Sequence, residues 1–190
     1  MVKLNKIYTK TGDSGETGLT DASRVGKSSP RIEAIGAVDE TSSAIGVARC
    51  HAVASNGREG DADAMLARIQ HDLFDLGADL SMPGEGSGDL RIVPVQVERL
   101  EREIDAMNEG LSPLTSFVLP GGTALAAHLH LARAIARRAE RAIVTLAAKE
   151  KVNPALLQYI NRLSDHLFVM ARAANDLGMG DVLWVPGKNR

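Results

Sequence analysis

Apolar positions recur at helical spacing along most of this chain, and the exceptions fall at its two ends. From Arg31 onward, Ile35, Val38, Ile45, Val47 and Ala48 predict a first helix ending near His51. Met65, Leu66, Ile69, Leu73, Leu76 and Leu80 predict a second over about 61–80. A third is predicted over about 95–108, with Gly110 just past its end. The longest, over about 123–150, has Thr123 as its N-cap. Its Leu125, Leu129, Ala132, Ala136, Ala139, Ile143 and Leu146 step by four and three alternately, a bundle seam whose small central residues allow close approach. A fifth starts near Pro154, a residue suited to a first helical turn, and stops before Gly178. Residues 56–60 read as a turn, 83–88 as a Gly-rich loop, and 112–122 as a connector carrying Phe117, Val118 and Leu119. The expected architecture is all-α, a bundle of about five helices in one domain over 1–190. Within it, 31–178 forms the bundle and 179–190 a tail holding the only tryptophan, Trp184.

Residues 1–30 break this pattern. They run Thr9-Lys10-Thr11-Gly12-Asp13-Ser14-Gly15-Glu16-Thr17-Gly18, followed by Lys27. Glycine at every third position lets a backbone turn back and present N–H groups, the geometry that cradles phosphates. No Gly-Lys-Ser/Thr closes the segment and no dinucleotide fingerprint is present, so it suggests a polyphosphate grip outside both standard folds. An ordered loop with one strand turn is the expected form; a disordered tail is the other reading of so polar a stretch.

Composition narrows the class. The net charge of −2 argues against a whole-protein attraction to nucleic acid, and aromatics at 3% favour close-packed helices over a β-sandwich. One cysteine, Cys50, rules out an internal disulfide framework and reads as a small buried apolar residue. No signal region and no run of 18 apolar residues occurs, which predicts a cytoplasmic protein without a membrane partner. No Glu precedes a His by three residues, so the di-iron pattern of helical bundles is missing, and His128 and His130 are poorly spaced to share a metal. A serine-hydrolase elbow is missing as well.

The remaining chemistry lies in charged residues beside the seams. Arg133, Arg137, Glu140 and Arg141 fall on one stripe of the fourth helix, with Arg138 nearby. Arginines there can reach an anion in a groove or a carboxylate on another subunit; a solvated face of weak ion pairs is the plainer alternative. Asn161, Asp165 and Arg172 share a face of the fifth helix. Asn161 suits a base or ribose edge, whereas Asp165 can equally pair with Arg162 or Arg172. Asp39-Glu40 read either as site carboxylates or as acids favoured near a helix N-terminus.

Six segments together resemble one family, the PduO-type ATP:cob(I)alamin adenosyltransferases. They are Tyr8 to Thr17, Glu33-Ala34-Ile35-Gly36-Ala37-Val38-Asp39-Glu40, Ser43-Ala44-Ile45-Gly46, Phe117-Val118-Leu119-Pro120-Gly121-Gly122, Arg137-Arg138-Ala139-Glu140-Arg141 and Asn161-Arg162-Leu163-Ser164-Asp165. The resemblance implies a ferritin-like helical bundle that forms a homotrimer with active sites between subunits. It implies that Thr9, Lys10, Thr11, Gly12, Asp13, Gly15, Thr17, Gly18 and Lys27 bind the polyphosphate of ATP. Arg137, Arg138, Glu140 and Arg141 would complete that site, Glu140 near Mg²⁺, and Asn161 would bond the nucleoside. Asp39 and Arg133 would couple neighbouring subunits and support corrinoid binding, and Phe117 would fill the lower face of cobalamin. A cobalamin reductase or an adenosylcobalamin-dependent mutase would be a partner. Thr41-Ser42 departs from the family pattern at what reads as a helix surface. A nucleotide- or corrinoid-binding carrier without turnover would use the same loop and arginines.

Overall fold

The computed structural model describes residues 7–52, 60–84 and 90–190. Five helices carry the fold: α1 (Pro30–Ala52), α2 (Gly60–Leu80), α3 (Pro94–Asn108), α4 (Ala124–Ala147) and α5 (Pro154–Ala173). The turn read at 56–59 and most of the Gly-rich loop, 85–88, lie outside the described residues. α4 sits at the centre of the bundle, packed on α1 and α5, while α2 covers α1 and α3 covers α5. The seam predicted on α4 is buried throughout, from Leu125 to Leu146. Truncating Ile143 or Leu129 to alanine there would cost about 2–5 kcal/mol. Helix ends follow local chemistry. The Thr123 hydroxyl accepts from the Ala126 N–H at 3.1 Å, and Asn153 Oδ1 accepts from the Ala155 N–H at 3.1 Å just before Pro154.

α1 touches both α4 and α2, so its buried face is broad, and small residues (Ala34, Ala37, Thr41, Ser42 and Ala48) make up much of it beside Val38 and Ile45. Thr41-Ser42 is therefore core and not surface. The Thr41 hydroxyl donates to the Ala37 carbonyl at 2.8 Å, which satisfies it without water. Cys50, expected inside, is exposed, because this face ends at Ala48 and resumes only at Ala52.

Residues 16–26 form a small antiparallel hairpin, β1 (Glu16–Gly18) and β2 (Arg24–Gly26), with Thr17 opposite Val25. A pair this short is marginal alone. It is held to the bundle at the C-terminal end of α2, where the Thr20 N–H donates to the Ser81 carbonyl at 3.1 Å and the two hydroxyls meet.

Between α2, α3 and α5 lies a buried polar layer. Asp72 accepts from the Tyr159 hydroxyl at 2.7 Å and from Gln96 Nε2 at 2.9 Å, and pairs with Arg99. Burial first, and then the Asp72 charge, push the Tyr159 phenol well above its ordinary range, so it stays a donor. Glu103 bonds His166 Nε2 at 2.8 Å and Arg68 at 2.8 Å. Burial pushes its carboxyl up, but the bonds and charges of His166 and Arg68 outweigh that and hold it at about 2.

Candidate functional site

The N-terminal loop is wound around its own backbone. Lys27 Nζ donates to the Gly12 carbonyl at 2.8 Å, the Lys27 N–H to the Gly15 carbonyl at 2.8 Å, and Arg24 to the Thr11 carbonyl at 2.9 Å. The Thr9 and Thr11 hydroxyls lie 2.9 Å apart. Gly15 has φ of 86°, which glycine tolerates, and Lys10 has φ of 61°, which a lysine adopts only under local constraint. A Cβ on Gly12 would lie 3.0 Å from Lys27 Nζ, so a side chain there would press on the lysine that closes the turn. Asp13 is exposed at the turn, and Thr17 and Gly18 belong to β1.

The α4 stripe divides. Arg138 turns toward α1, where it pairs with Glu33 at 3.5 Å and with Glu40. Glu140 turns toward α5 and accepts from Asn161 Nδ2 at 2.8 Å. Arg141 donates to the Arg137 carbonyl at 3.0 Å, and both side chains are exposed. Among the described residues neither Arg137 nor Lys10 has a carboxylate partner. On α5, Asp165 pairs with Arg162 at 3.3 Å, and Arg172 is buried against Asp181 instead of sharing an outer face.

A groove of about 610 Å³ lies beside the connector between α3 and α4, walled by Leu114, Phe117, Val118, Phe168, Trp184 and Arg133. Phe117 is 77% exposed. Its ring lies 6.0 Å from that of Trp184 at a tilt of 56°, and Arg133 lies 6.0 Å over the Phe168 ring. Arg133 Nε is buried without a partner. Burial, then the Arg137 charge, lower its pKa below the ordinary guanidinium range. His130 is buried behind Phe168 with both ring nitrogens unpartnered; burial first, and then the Arg133 charge, push its pKa down. Asp39 lies elsewhere, in an apolar groove of about 420 Å³ between α1 and α2 that Phe74 also lines. One chain therefore does not bring Asp39 and Arg133 together.

A cation-rich glycine loop on the same chain as an apolar aromatic groove suits a nucleotide and a large flat partner. Residues 7–174 match the family model described as Cobalamin adenosyltransferase. The chain belongs to this family. A cobalamin adenosyltransferase of Cupriavidus metallidurans is 51% identical over 183 residues, covering 96% of this chain and 95% of the relative. A corrinoid adenosyltransferase of Bacillus subtilis is 45% identical, with coverage of 93% and 91%. A variant PduO-type ATP:corrinoid adenosyltransferase from Lactobacillus reuteri, solved with cobalamin and ATP, superposes with a TM-score of 0.87 at 39% identity. That match covers 95% of this chain and 97% of the solved one.

Viewed as a cobalamin adenosyltransferase, the chain keeps three groups of expected site residues apart: the loop, the α4–α5 cluster of Arg137, Arg141, Glu140 and Asn161, and the Phe117 groove. Among the described residues no hydrogen bond or ion pair joins residues 9–15 to the α4 arginines. Sequence reasoning missed Phe168 and Trp184 as groove walls. Phe168 reads as one more apolar residue of α5, and Trp184 reaches the groove only through a tail that folds back. It also missed Glu33 and Glu40 as partners of Arg138, although their spacing of seven on α1 puts both on one face.

Proposed function

We propose that this protein transfers the 5′-deoxyadenosyl group of ATP to the cobalt of cob(I)alamin, giving adenosylcobalamin and triphosphate. The observation that carries this reading is Phe117, largely exposed on an aromatic groove rimmed by Arg133, whose buried Nε has no partner. A phenylalanine exposed to that degree has no role in the core, and a flat apolar wall suits a corrin face.

Cob(I)alamin supplies the nucleophile, a cobalt centre electron-rich enough to displace triphosphate from the 5′ carbon. The chain then needs no serine, cysteine or bound metal as nucleophile. Its work is orientation and stabilisation of a leaving polyanion. Backbone N–H groups of residues 9–18 wrap the phosphates, and Lys10, Lys27, Arg137, Arg138 and Arg141 offset their charge. Asn161 holds the nucleoside end. Glu140 has one carboxylate oxygen beyond its bond to Asn161, which fits an outer contact to a Mg²⁺ held mainly by phosphates and water. Among the described residues no group of three acidic, His or Cys side chains could cage that ion by itself. Phe117 fills the lower face of the corrinoid and excludes its base and water. Asp39 and Arg133, separate in one chain, meet across subunits of a homotrimer in this reading, and the loop completes a neighbour's α4 cluster. The setting is the cytoplasm, with the 190 residues as one domain and a reductase or an adenosylcobalamin-dependent mutase as the transient partner. No helix among the described residues is long and apolar enough to cross a membrane.

Anaerobic mixing with Mg-ATP and chemically reduced cob(I)alamin tests this. Loss of the cob(I)alamin absorbance with adenosylcobalamin and triphosphate appearing together is the expected result. ATP binding without either product would overturn the enzyme in favour of a carrier.

A further inference from the structure

One buried cluster has no part in the assignments above. Asp181 opens a tail whose later residues are mostly exposed, yet its own side chain is 3% exposed. Its Oδ2 accepts from Arg172 Nε at 2.8 Å, and its Oδ1 accepts from Asn175 Nδ2 at 3.2 Å. Arg172, 7% exposed, also donates to the Ser112 carbonyl at 2.8 Å. Asn175 Oδ1 accepts from the Thr123 N–H at 2.9 Å. Three side chains thus tie the end of α5, both ends of the α3–α4 connector and the start of the tail into one knot.

Beyond the knot the tail pairs antiparallel with the connector. The Leu119 N–H donates to the Val182 carbonyl at 2.8 Å, and the Trp184 N–H to the Phe117 carbonyl at 2.7 Å. Ser116 Oγ donates to the Trp184 carbonyl at 2.6 Å. Largely exposed and packed against Trp184, Phe117 takes its position from the tail and from the backbone beside it. An isolated bridge of two short segments is weak by itself. The buried ion pair at its root is what gives the bridge a fixed register.

We propose that Asp181, through Arg172 and Asn175, is the positioning residue for the corrinoid half of the site: it docks the tail so that Phe117 and Trp184 form one fixed wall of the groove. This rests on the adenosyltransferase reading. The protein contains a single tryptophan, so emission excited at the red edge, where tyrosine does not absorb, reports Trp184 alone. In ligand-free Asp181→Asn, Trp184 emission is expected to shift red and to be quenched more strongly by acrylamide. The KM for corrinoid is expected to rise about tenfold while the KM for ATP stays within about twofold, since only the groove is displaced. Emission and quenching unchanged in a folded Asp181→Asn, or a parallel rise in both KM values, would overturn the proposal. Asp181→Asn leaves Arg172 buried with one partner fewer, so Ser116→Ala gives a second arm that spares the knot. It is expected to move Trp184 quenching and corrinoid KM in the same direction and by less, and no change in either sinks the idea. Absent turnover in the unmodified protein overturns the adenosyltransferase reading and the corrinoid role together. Normal turnover with unmoved variants overturns this proposal only.

Discussion

Two polar regions of this molecule use the same residue types to opposite ends. In the layer between α2, α3 and α5, Asp72 has three donors, and Glu103 is bonded to His166 and paired with Arg68. Along the N-terminal loop and the outer edge of α4, Lys10 and Arg137 have no acid to meet among the described residues, and Arg133 keeps a buried nitrogen without an acceptor. Buried polar groups that satisfy one another fix a fold. Cations held near one another without acids destabilise the empty protein slightly and have anions as their natural complement. In the proposed reading, the difference separates residues that maintain the bundle from residues that receive a ligand.

Four measurements break or sharpen that contrast. The largest effect is expected on the structural side. Asp72→Ala strands the Tyr159 hydroxyl and the Arg99 charge, a loss of about 3 kcal/mol, and a Tm fall on the order of 10 °C by calorimetry checks it. ATP affinity in the surviving folded protein should hardly move. On the other side, Arg137→Ala and Lys10→Ala should each lower kcat/KM about 100-fold, the scale of losing one charge-stabilising donor, with Tm within roughly 2 °C of the parent. Equal Tm losses in both regions would erase the distinction. Phe117→Ala should lower reduction of cob(II)alamin about tenfold, more than alkylation of preformed cob(I)alamin, with no loss of Tm; equal losses in the two assays would remove its lower-face role. The smallest effect is a pH dependence. The Glu103 carboxyl is held at about 2 against an ordinary 4.5, so its contribution is complete above 4.5 and is lost as pH falls toward 2. Urea midpoints from pH 6 to pH 3 should fall less in Glu103→Gln than in the parent.

The bundle was legible because its evidence is local. The α4 seam, the Thr123 cap and Pro154 at the start of α5 each follow from residues within a few positions of one another. α1 was half legible: its helix is plain, but a face buried on two sides includes polar Thr and Ser as well as apolar residues, and Thr41 and Ser42 looked like surface. The hairpin at 16–26 escaped because strands of three residues show no alternation beyond Thr17 and Val25. At the site, the glycine loop was visible through its own spacing. Which way each α4 arginine turns was not, because Arg138 is drawn to Glu33 and Glu40 on another helix. The Asp181 knot joins residues up to 69 positions apart, from Ser112 to Asp181, and no window along the chain contains it.

The bond from Lys27 to the Gly12 carbonyl has a consequence for kinetics. A loop already closed on itself has given up its conformational freedom before any nucleotide arrives. If this loop binds ATP as proposed, association involves little chain ordering, and its rate is set by encounter and by the exchange of one ammonium between a carbonyl and a phosphate oxygen. The unfavourable entropy of arranging residues 12–27 belongs to folding, and calorimetric titration of ATP should carry little of it.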